Sequence, residues 1–284
     1  MLFALRRSAA AEPVAPIRPD QTRPSNGSHA AGPDEPARPR RGLRRIANAV
    51  IGIAVVALLY AGVVLLWGDP VTGLYAKWKQ HQLRGELNRT FDDYAGTAQG
   101  ILPGELGPTQ FAAHEQSIVA SRARKFSGAV EPGDPLGSLV IPRIGVDAAF
   151  VQGTRWGRDL TRGPGHYPQT ELPGLGMTAA IAGHRTTFGA WFRHIDSLKA
   201  GDTIVVRLPY ATFHYRVFGH KIVSNDDWRI IRDRGFDALV LSACHPLYGA
   251  SHRWIVYAAA YRVDPVKGPP YLVDMHNEAR PAST

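Results

Sequence analysis

Cysteine is almost missing from this chain: Cys244 is the one such residue in 284. An intramolecular disulfide is therefore excluded. The 11 histidines are scattered and join no cysteine at ligand spacing, so no structural zinc site is expected either. A Gly-rich phosphate loop, a dinucleotide fingerprint and an internal repeat are equally absent, which removes the nucleotide-dependent and solenoid classes. Acidic residues are in deficit, 24 against 33 basic, for a formal charge of +9. The excess is uneven. Up to Arg45, nine arginines (Arg6, Arg7, Arg18, Arg23, Arg38, Arg40, Arg41, Arg44 and Arg45) face four acids (Glu12, Asp20, Asp34 and Glu35), which leaves +5 there and +4 for the rest. That layout is a cytoplasmic membrane flank and not a nucleic-acid groove reader, so no nucleic-acid partner is expected.

Charge is wholly absent from one stretch, Ile46 to Trp67, IANAVIGIAVVALLYAGVVLLW. As a helix it is long enough to cross a hydrocarbon core of about 30 Å. The run and its leader are too long for a cleaved signal peptide, and no small-x-small site follows before WGDP, so residues 46–67 read as a retained transmembrane signal anchor. Arginines on its N-terminal side place the N-terminus in the cytoplasm and everything after Trp67 outside, a single-pass protein of the cell membrane. Residues 1–45, rich in Pro, Ala, Arg and Ser, read as a disordered tail. Residues 68–130 carry apolar side chains at helical spacing (Leu74, Trp78, Leu83, Leu87) and a second helical stretch over 109–125. They read as a helical stalk or linker.

From residue 131 the texture changes to short β-branched and aromatic runs between Gly, Pro and Asp turns. SLVIPRIG, AAFVQG, MTAAIAG, DTIVVRL, TFHYRVFGHKIVS, FDALVLSA and WIVYAAAYRV each predict a strand; in TFHYRVF, Phe213, Tyr215 and Val217 alternate with polar neighbours. One short helix is expected in GAWFRHIDSLKAGD, with Trp191, Ile195 and Leu198 on one face and Gly201 as its stop. The sum is an all-β domain over 131–265, closed or sandwiched, followed by a polar tail over 266–284.

Cys244 ends the apolar run FDALVLSA, where a loop begins. It is either an inert small hydrophobe or a nucleophile held at a strand terminus. Outside the membrane an exposed odd thiol is a liability unless used. A nucleophilic thiol needs a proton-transfer partner and a cation or donors for the oxyanion. His245 is adjacent in an extended chain and points the other way. His184, in AAIAGHRTTFGAWF, also closes a strand-like run, and Arg253 opens the next strand in a hairpin that returns toward Cys244. A hydrogen-bonded structural histidine and a strand-end surface charge are the alternative readings of those two residues. His194, His214 and His220 read as structural.

IAGHRTTFGAWFRHIDSLKAGD, followed by CHPLYGASHRWIVYA and preceded by IPRIGVDAAFVQGT and RGPGHYPQTELPGLGMTAAIAGHRT, closely resembles the sortases, and among them the class E sortases of actinobacteria. The resemblance runs from Leu136 to Tyr261. It implies an eight-stranded β-barrel carrying a membrane-anchored cysteine transpeptidase, with Cys244 as nucleophile, His184 as acid and base, and Arg253 at the oxyanion or bound peptide. By the same resemblance the partners are secreted proteins with a C-terminal sorting signal of Leu-Ala-x-Thr-Gly type and an amine of the peptidoglycan cross-bridge or its lipid-linked precursor. No metal or organic cofactor is implied. Sortases read Thr-Leu-x-Thr-Cys before the nucleophile, whereas this chain reads Val240, Leu241, Ser242, Ala243, Cys244, so a hydroxyl is missing at Ala243. Tyr167, His166, Thr186, Thr187 and Tyr248 are further candidates for the peptide groove, with Ala243 itself. Two rival readings are an L,D-transpeptidase-like cell-wall enzyme, which places Ser-His-Gly before its cysteine, and an anchored module that binds sorting peptides without cleaving them.

Overall fold

The computed structural model describes residues 41–67, 69–97 and 107–282. The tail expected over 1–45 therefore lies outside the described residues up to residue 40. Helix α1, Arg41–Trp67, contains the apolar run; Gly42–Leu65 is long and apolar enough to cross a membrane, and none of that span is buried. Its part up to Gly52 belongs to a separate unit, and residues 53–284 form the second unit.

Ten strands follow in the order β1 Pro135–Ile141, β2 Val146–Gln152, β3 Gly165–His166, β4 Thr178–Gly183, β5 Thr203–Leu208, β6 Ala211–Ser224, β7 Ala238–His245, β8 His252–Pro265, β9 Tyr271–Val273 and β10 Ala279–Pro281. Eight of them close a barrel, β8-β6-β5-β1-β2-β3-β4-β7, through the pairing of β7 with β8, the strand number that the sequence resemblance implies. Long β6 and β8 bend around it with register shifts at His214/Tyr215 and Val217/Gly219, the local kinks that barrel closure requires. Alternation in β5 is plain: Ile204, Val206 and Leu208 are buried while Thr203 and Arg207 are exposed. β7 is buried on both faces, which explains its unbroken apolar run. Leu239, Leu241 and Ala243 enter the barrel core, and Val240 joins Ala180, Val223, Ile230 and Ile255 outside it.

In the described part of the segment before the barrel, two helices, α2 Pro70–Thr97 and α3 Pro108–Ser127, pack on it. Asp69 accepts the Val71 and Thr72 amides at 3.0 and 3.3 Å, and Pro70 occupies the first helical position, so α2 starts there. Leu83 and Leu87 pack on Ala149 and Val151 of β2. Between them and the first turns, buried Gln80 accepts from Ala149 N at 2.7 Å and donates to Ala149 O at 2.8 Å, standing in for a neighbouring strand at an unpaired edge. Ala112, Val119, Ala123 and Phe126 of α3 close one end of the core.

Three local readings of the sequence differ from the structure. The helix expected in 189–202 is a single 3₁₀ turn, Ile195–Ser197. Phe188, Gly189 and Ala190 all have positive φ (48°, 84° and 44°), and the Arg193 carbonyl that an α-helix would use is taken by the Arg185 guanidinium at 3.1 and 3.2 Å. The polar tail forms β9 and β10, with Tyr271, Val273 and Ala279 buried. Asn277 ties it to the barrel, donating to Gly235 O at 2.8 Å and Gly176 O at 3.1 Å. Two-residue β3 was not read as a strand at all. Nearby, Asp237 is buried and accepts the Gly174 and Gly176 amides at 2.9 and 3.1 Å; burial raises its carboxyl pKa to about 6 despite those bonds.

Candidate active site

Half-buried Cys244 lies one residue before the end of β7. β4 and β7 pair in parallel from Thr178↔Ala238 to Gly183↔Ala243. His184 and Cys244 are the next residues on each, one step beyond the last pair, and both border the same groove. Across the other edge of β7, antiparallel pairing sets Cys244 opposite Arg253. Two strand registers thus flank the thiol with an imidazole and a guanidinium. Phe192 packs against the last residue of β4, which is why a glycine stands there: a Cβ at Gly183 would meet its ring at 2.6 Å. The Phe192 amide then donates to His184 O at 2.9 Å and closes the loop between them.

His184 is half-buried, and that burial lowers its pKa below the usual imidazole value; its Nε2 is buried with no hydrogen-bond partner. Its ring leans on Phe188 at 5.6 Å. Phe188 in turn meets Trp156 at 6.5 Å and Tyr75 of α2 at 6.3 Å, and its amide donates to Thr72 Oγ1 at 2.9 Å. Left-handed Phe188 and Ala190 are conformations that cost about 1–3 kcal/mol each outside glycine, held here by α2 and by Ala190 N donating to Thr187 O at 2.8 Å. Arg253 donates through Nη1 to Ala250 O and His252 O, each at 3.0 Å; its Nε and Nη2 make no hydrogen bond among the described residues.

Cys244, His184 and Arg253 line one groove of about 300 Å³. Ala182, Gly183, Ser242 and Ala243 complete its floor, Thr154, Trp156 and Tyr167 one wall, and Asn225, Asp227 and Trp228 the other. Trp156 and Trp228 are 70% and 61% exposed, and such apolar rings at the rim suit an extended peptide better than a small polar ligand. Among the described residues no group of three or more His, Cys, Asp and Glu could hold a metal ion.

The secondary candidates divide. Tyr167 and Ala243 line the groove. His166 does not: it is buried, with Nδ1 at 2.8 Å from Gln152 Oε1 and Nε2 at 3.1 Å from both Glu171 O and Thr170 Oγ1. Burial pushes its pKa down to about 4, so it is a neutral, fully bonded wedge between strands. Thr186 faces a second cleft, with Leu74, Lys77 and Trp191, and Thr187 sits in the turn at Phe188. Tyr248 donates to Leu65 O at 2.9 Å and meets Arg193 Nη2 at 3.2 Å, outside the groove. His214 pairs with Asp264 at 2.9 Å and His220 stacks on Trp254 at 5.2 Å, again away from Cys244.

Two residues at the site were not singled out from the sequence. Arg185, 4% exposed, reaches Cys244 O at 3.4 Å and Asp196 at 2.5 Å, and so ties the backbone of the thiol to the 193–196 turn. A charge in the apolar run AAIAGHR was its one signal. Ser242 lies on the floor with a buried, unpaired hydroxyl; only the period-2 count back from Cys244 places it on the same face.

The Sortase domain family matches this chain over residues 139–261. Sortase D of Bacillus subtilis is 34% identical over 175 residues, which cover 60% of this chain and 86% of that protein. Sortase SrtE1 of Streptomyces coelicolor is 28% identical over 176 residues, 54% of this chain and 50% of that protein. The solved sortase E of Streptomyces avermitilis superposes with a TM-score of 0.44 at 30% identity, covering 49% of this chain and 95% of that one.

Proposed function

The chain belongs to the sortase family of cysteine transpeptidases, and on that premise we propose that it is a membrane-anchored enzyme that joins secreted proteins to a cell-wall amine. The substrate segment is a C-terminal sorting signal of Leu-Ala-x-Thr-Gly type, cut between Thr and Gly. The observation that carries this reading is the pair of registers that puts His184 and Arg253 on the two sides of Cys244 at the floor of an open groove.

In the first half-reaction Cys244 Sγ, as thiolate, attacks the threonine carbonyl carbon. The carbonyl electron pair moves onto oxygen, where the uncommitted donors of Arg253 stabilise it. Collapse breaks the C–N bond as His184 delivers a proton to the departing glycine amine, and a thioester remains. An amine of the peptidoglycan cross-bridge, or of its lipid-linked precursor, then attacks that thioester and gives its proton to His184. Sγ leaves as thiolate, an amide joins the two partners, and the enzyme is restored. His184 serves this cycle because its Nε2 is held by no protein group. Arg185 is a positioning residue that fixes the strand end carrying Sγ. Ala243 packs in the core cluster and also borders the groove, so the hydroxyl missing there is missing at the edge of the site, while the backbone amides of the strand remain for the substrate. α1 holds the domain at the outer face of the membrane.

The test uses the full chain in detergent with a Leu-Ala-x-Thr-Gly peptide and an amine acceptor, followed by intact mass. A thioacyl adduct on Cys244 and a threonyl-amine product are expected, and both should vanish in Cys244→Ala. An uncut peptide with a folded enzyme across a panel of related motifs would overturn the proposed signal.

A further inference from the structure

The two faces of α2 differ, and one of them changes along its length. Ala76, Gln80, Leu83 and Leu87 face the barrel and are buried. On the opposite side Val71, Leu74, Tyr75 and Trp78, at positions i, i+3, i+4 and i+7, make one apolar stripe, with exposures of 66, 72, 41 and 53%. Past Trp78 the exposed positions turn polar: His81, Gln82, Arg84, Glu86 and Arg89. An apolar stripe confined to two turns of an otherwise polar helix is costly in water. Its place in the chain supplies a cover, since α2 begins at Pro70, five residues after Leu65 ends the apolar span.

We propose that the first two turns of α2 lie in the membrane–water interface, giving the chain a second contact with a phospholipid bilayer beside α1. This rests on reading α1 as a membrane span. The dimensions agree. The headgroup zone on each side of a bilayer is about 5–8 Å deep, and the rise from Val71 to Trp78 is about 10 Å, so a tilted pair of turns fits within it. The chemistry agrees as well. Tyr75 and Trp78 are the residue types that settle at headgroup level, with apolar rings and a polar edge. Lys77 is exposed, and Lys79 carries its ammonium 4.4 Å over the Trp78 ring, which sets positive charge beside the stripe within reach of lipid phosphates. Asp69, the acid at this end, is already engaged as the helix cap and accepts from Tyr60 at 2.8 Å, so two lysines stand beside the stripe against one committed carboxylate. A second copy pairing stripe to stripe would set these lysines against their own counterparts. The same two turns hold the loop after His184 through Thr72 and Tyr75, so lipid contact on one side and the catalytic loop on the other share one rigid element.

The single cysteine makes the test direct. In the full chain, Cys244→Ala leaves no other thiol, and Leu58→Cys, Leu74→Cys, Trp78→Cys, Gln82→Cys and Arg89→Cys then carry one nitroxide each. Reconstituted in phosphatidylcholine–phosphatidylglycerol vesicles, each label is tested by power saturation for access to oxygen and to a water-soluble nickel chelate. Labels at 74 and 78 should be severalfold less accessible to nickel than those at 82 and 89, and the label at 58 should be protected more strongly still. Protection at 58 with full nickel access at 74 and 78 would overturn the interfacial contact and leave the span intact. Nickel access at 58 would remove the span and the contact with it, and dipolar broadening between labels at 74 would assign the stripe to a second copy instead.

Discussion

Around His166 both ring nitrogens are engaged, by Gln152 on one side and by Glu171 and Thr170 on the other. Around His184, at the end of the neighbouring strand, Nε2 is buried and unpaired. Burial lowers the pKa of both, so titration alone does not separate them. Hydrogen-bond accounting does: a fully bonded ring holds strands together, while a buried ring with an unused nitrogen keeps that atom for a visitor. The contrast extends to the backbone. β3 is a regular ladder residue at His166, whereas the segment after His184 passes through three consecutive positive-φ residues pinned by α2.

Exchanging each histidine for alanine gives the sharpest break in that contrast. His184→Ala should cut transpeptidation by about 10³-fold or more with little change in melting temperature. His166→Ala should keep turnover within about threefold at a temperature where the fold holds, yet cost roughly 3 kcal/mol, because Gln152 and Thr170 lose their partner in a buried site. Turnover by mass and chemical denaturation on both variants decide the matter. A reversed pattern would mean that the roles have been exchanged.

Acid stability sharpens it next. His166 has a folded pKa of about 4, lowered from 6.5, so the stability it contributes is present above pH 6.5 and lost as pH falls through about 4. Asp237 has a folded pKa of about 6, raised from 3.8, so its contribution is present below pH 3.8 and lost as pH rises through about 6. Each amounts to about 3 kcal/mol at most, and the two oppose each other between pH 6.5 and 4. Asp237→Asn keeps an acceptor for Gly174 and Gly176 and removes one side of the balance. Its stability, relative to the natural protein, should fall by about 3 kcal/mol across that window. An unchanged difference would show that Asp237 is ionised normally.

How much of this was legible follows from what each feature depends on. β5, β6 and β7 announce themselves through period-2 alternation or an unbroken buried run, and the strand ends that carry Cys244, His184 and Arg253 were readable with them. β3, β9 and β10 are two or three residues long, too short for any period, and exist only because a neighbouring strand offers its edge. The 3₁₀ turn at Ile195–Ser197 has apolar spacing that also fits a helix; what forbids one is Arg185, a contact from outside the segment. His166 and His184 carry equal weight as letters, since neither the partners of the first nor the solitude of the second is local in sequence.

Phe188 joins the two halves of the contrast, and Phe188→Ala should loosen it. Removing the ring uncovers His184 and releases the left-handed turn from Tyr75 and Trp156. Less burial moves the His184 pKa back up toward the ordinary imidazole value, so the acidic limb of the kcat/KM profile should shift to higher pH, with kcat about tenfold lower from lost orientation. A drop in kcat with an unmoved profile would assign Phe188 to folding of the loop alone.

Ser242→Ala carries the smallest effect and the most specific one. The Ser242 hydroxyl is buried and unpaired on the groove floor, two residues before Cys244, where β7 turns alternate side chains to the same face. A bound peptide that pairs with it gains one hydrogen bond, worth about 0.5–1.5 kcal/mol, so its loss should raise KM about two- to tenfold with kcat nearly constant. The apoenzyme, relieved of an orphaned hydroxyl, should become slightly more stable in the same variant. That opposite movement of stability and KM distinguishes a hydroxyl kept for substrate from one that merely fills space, for which both would stay where they are.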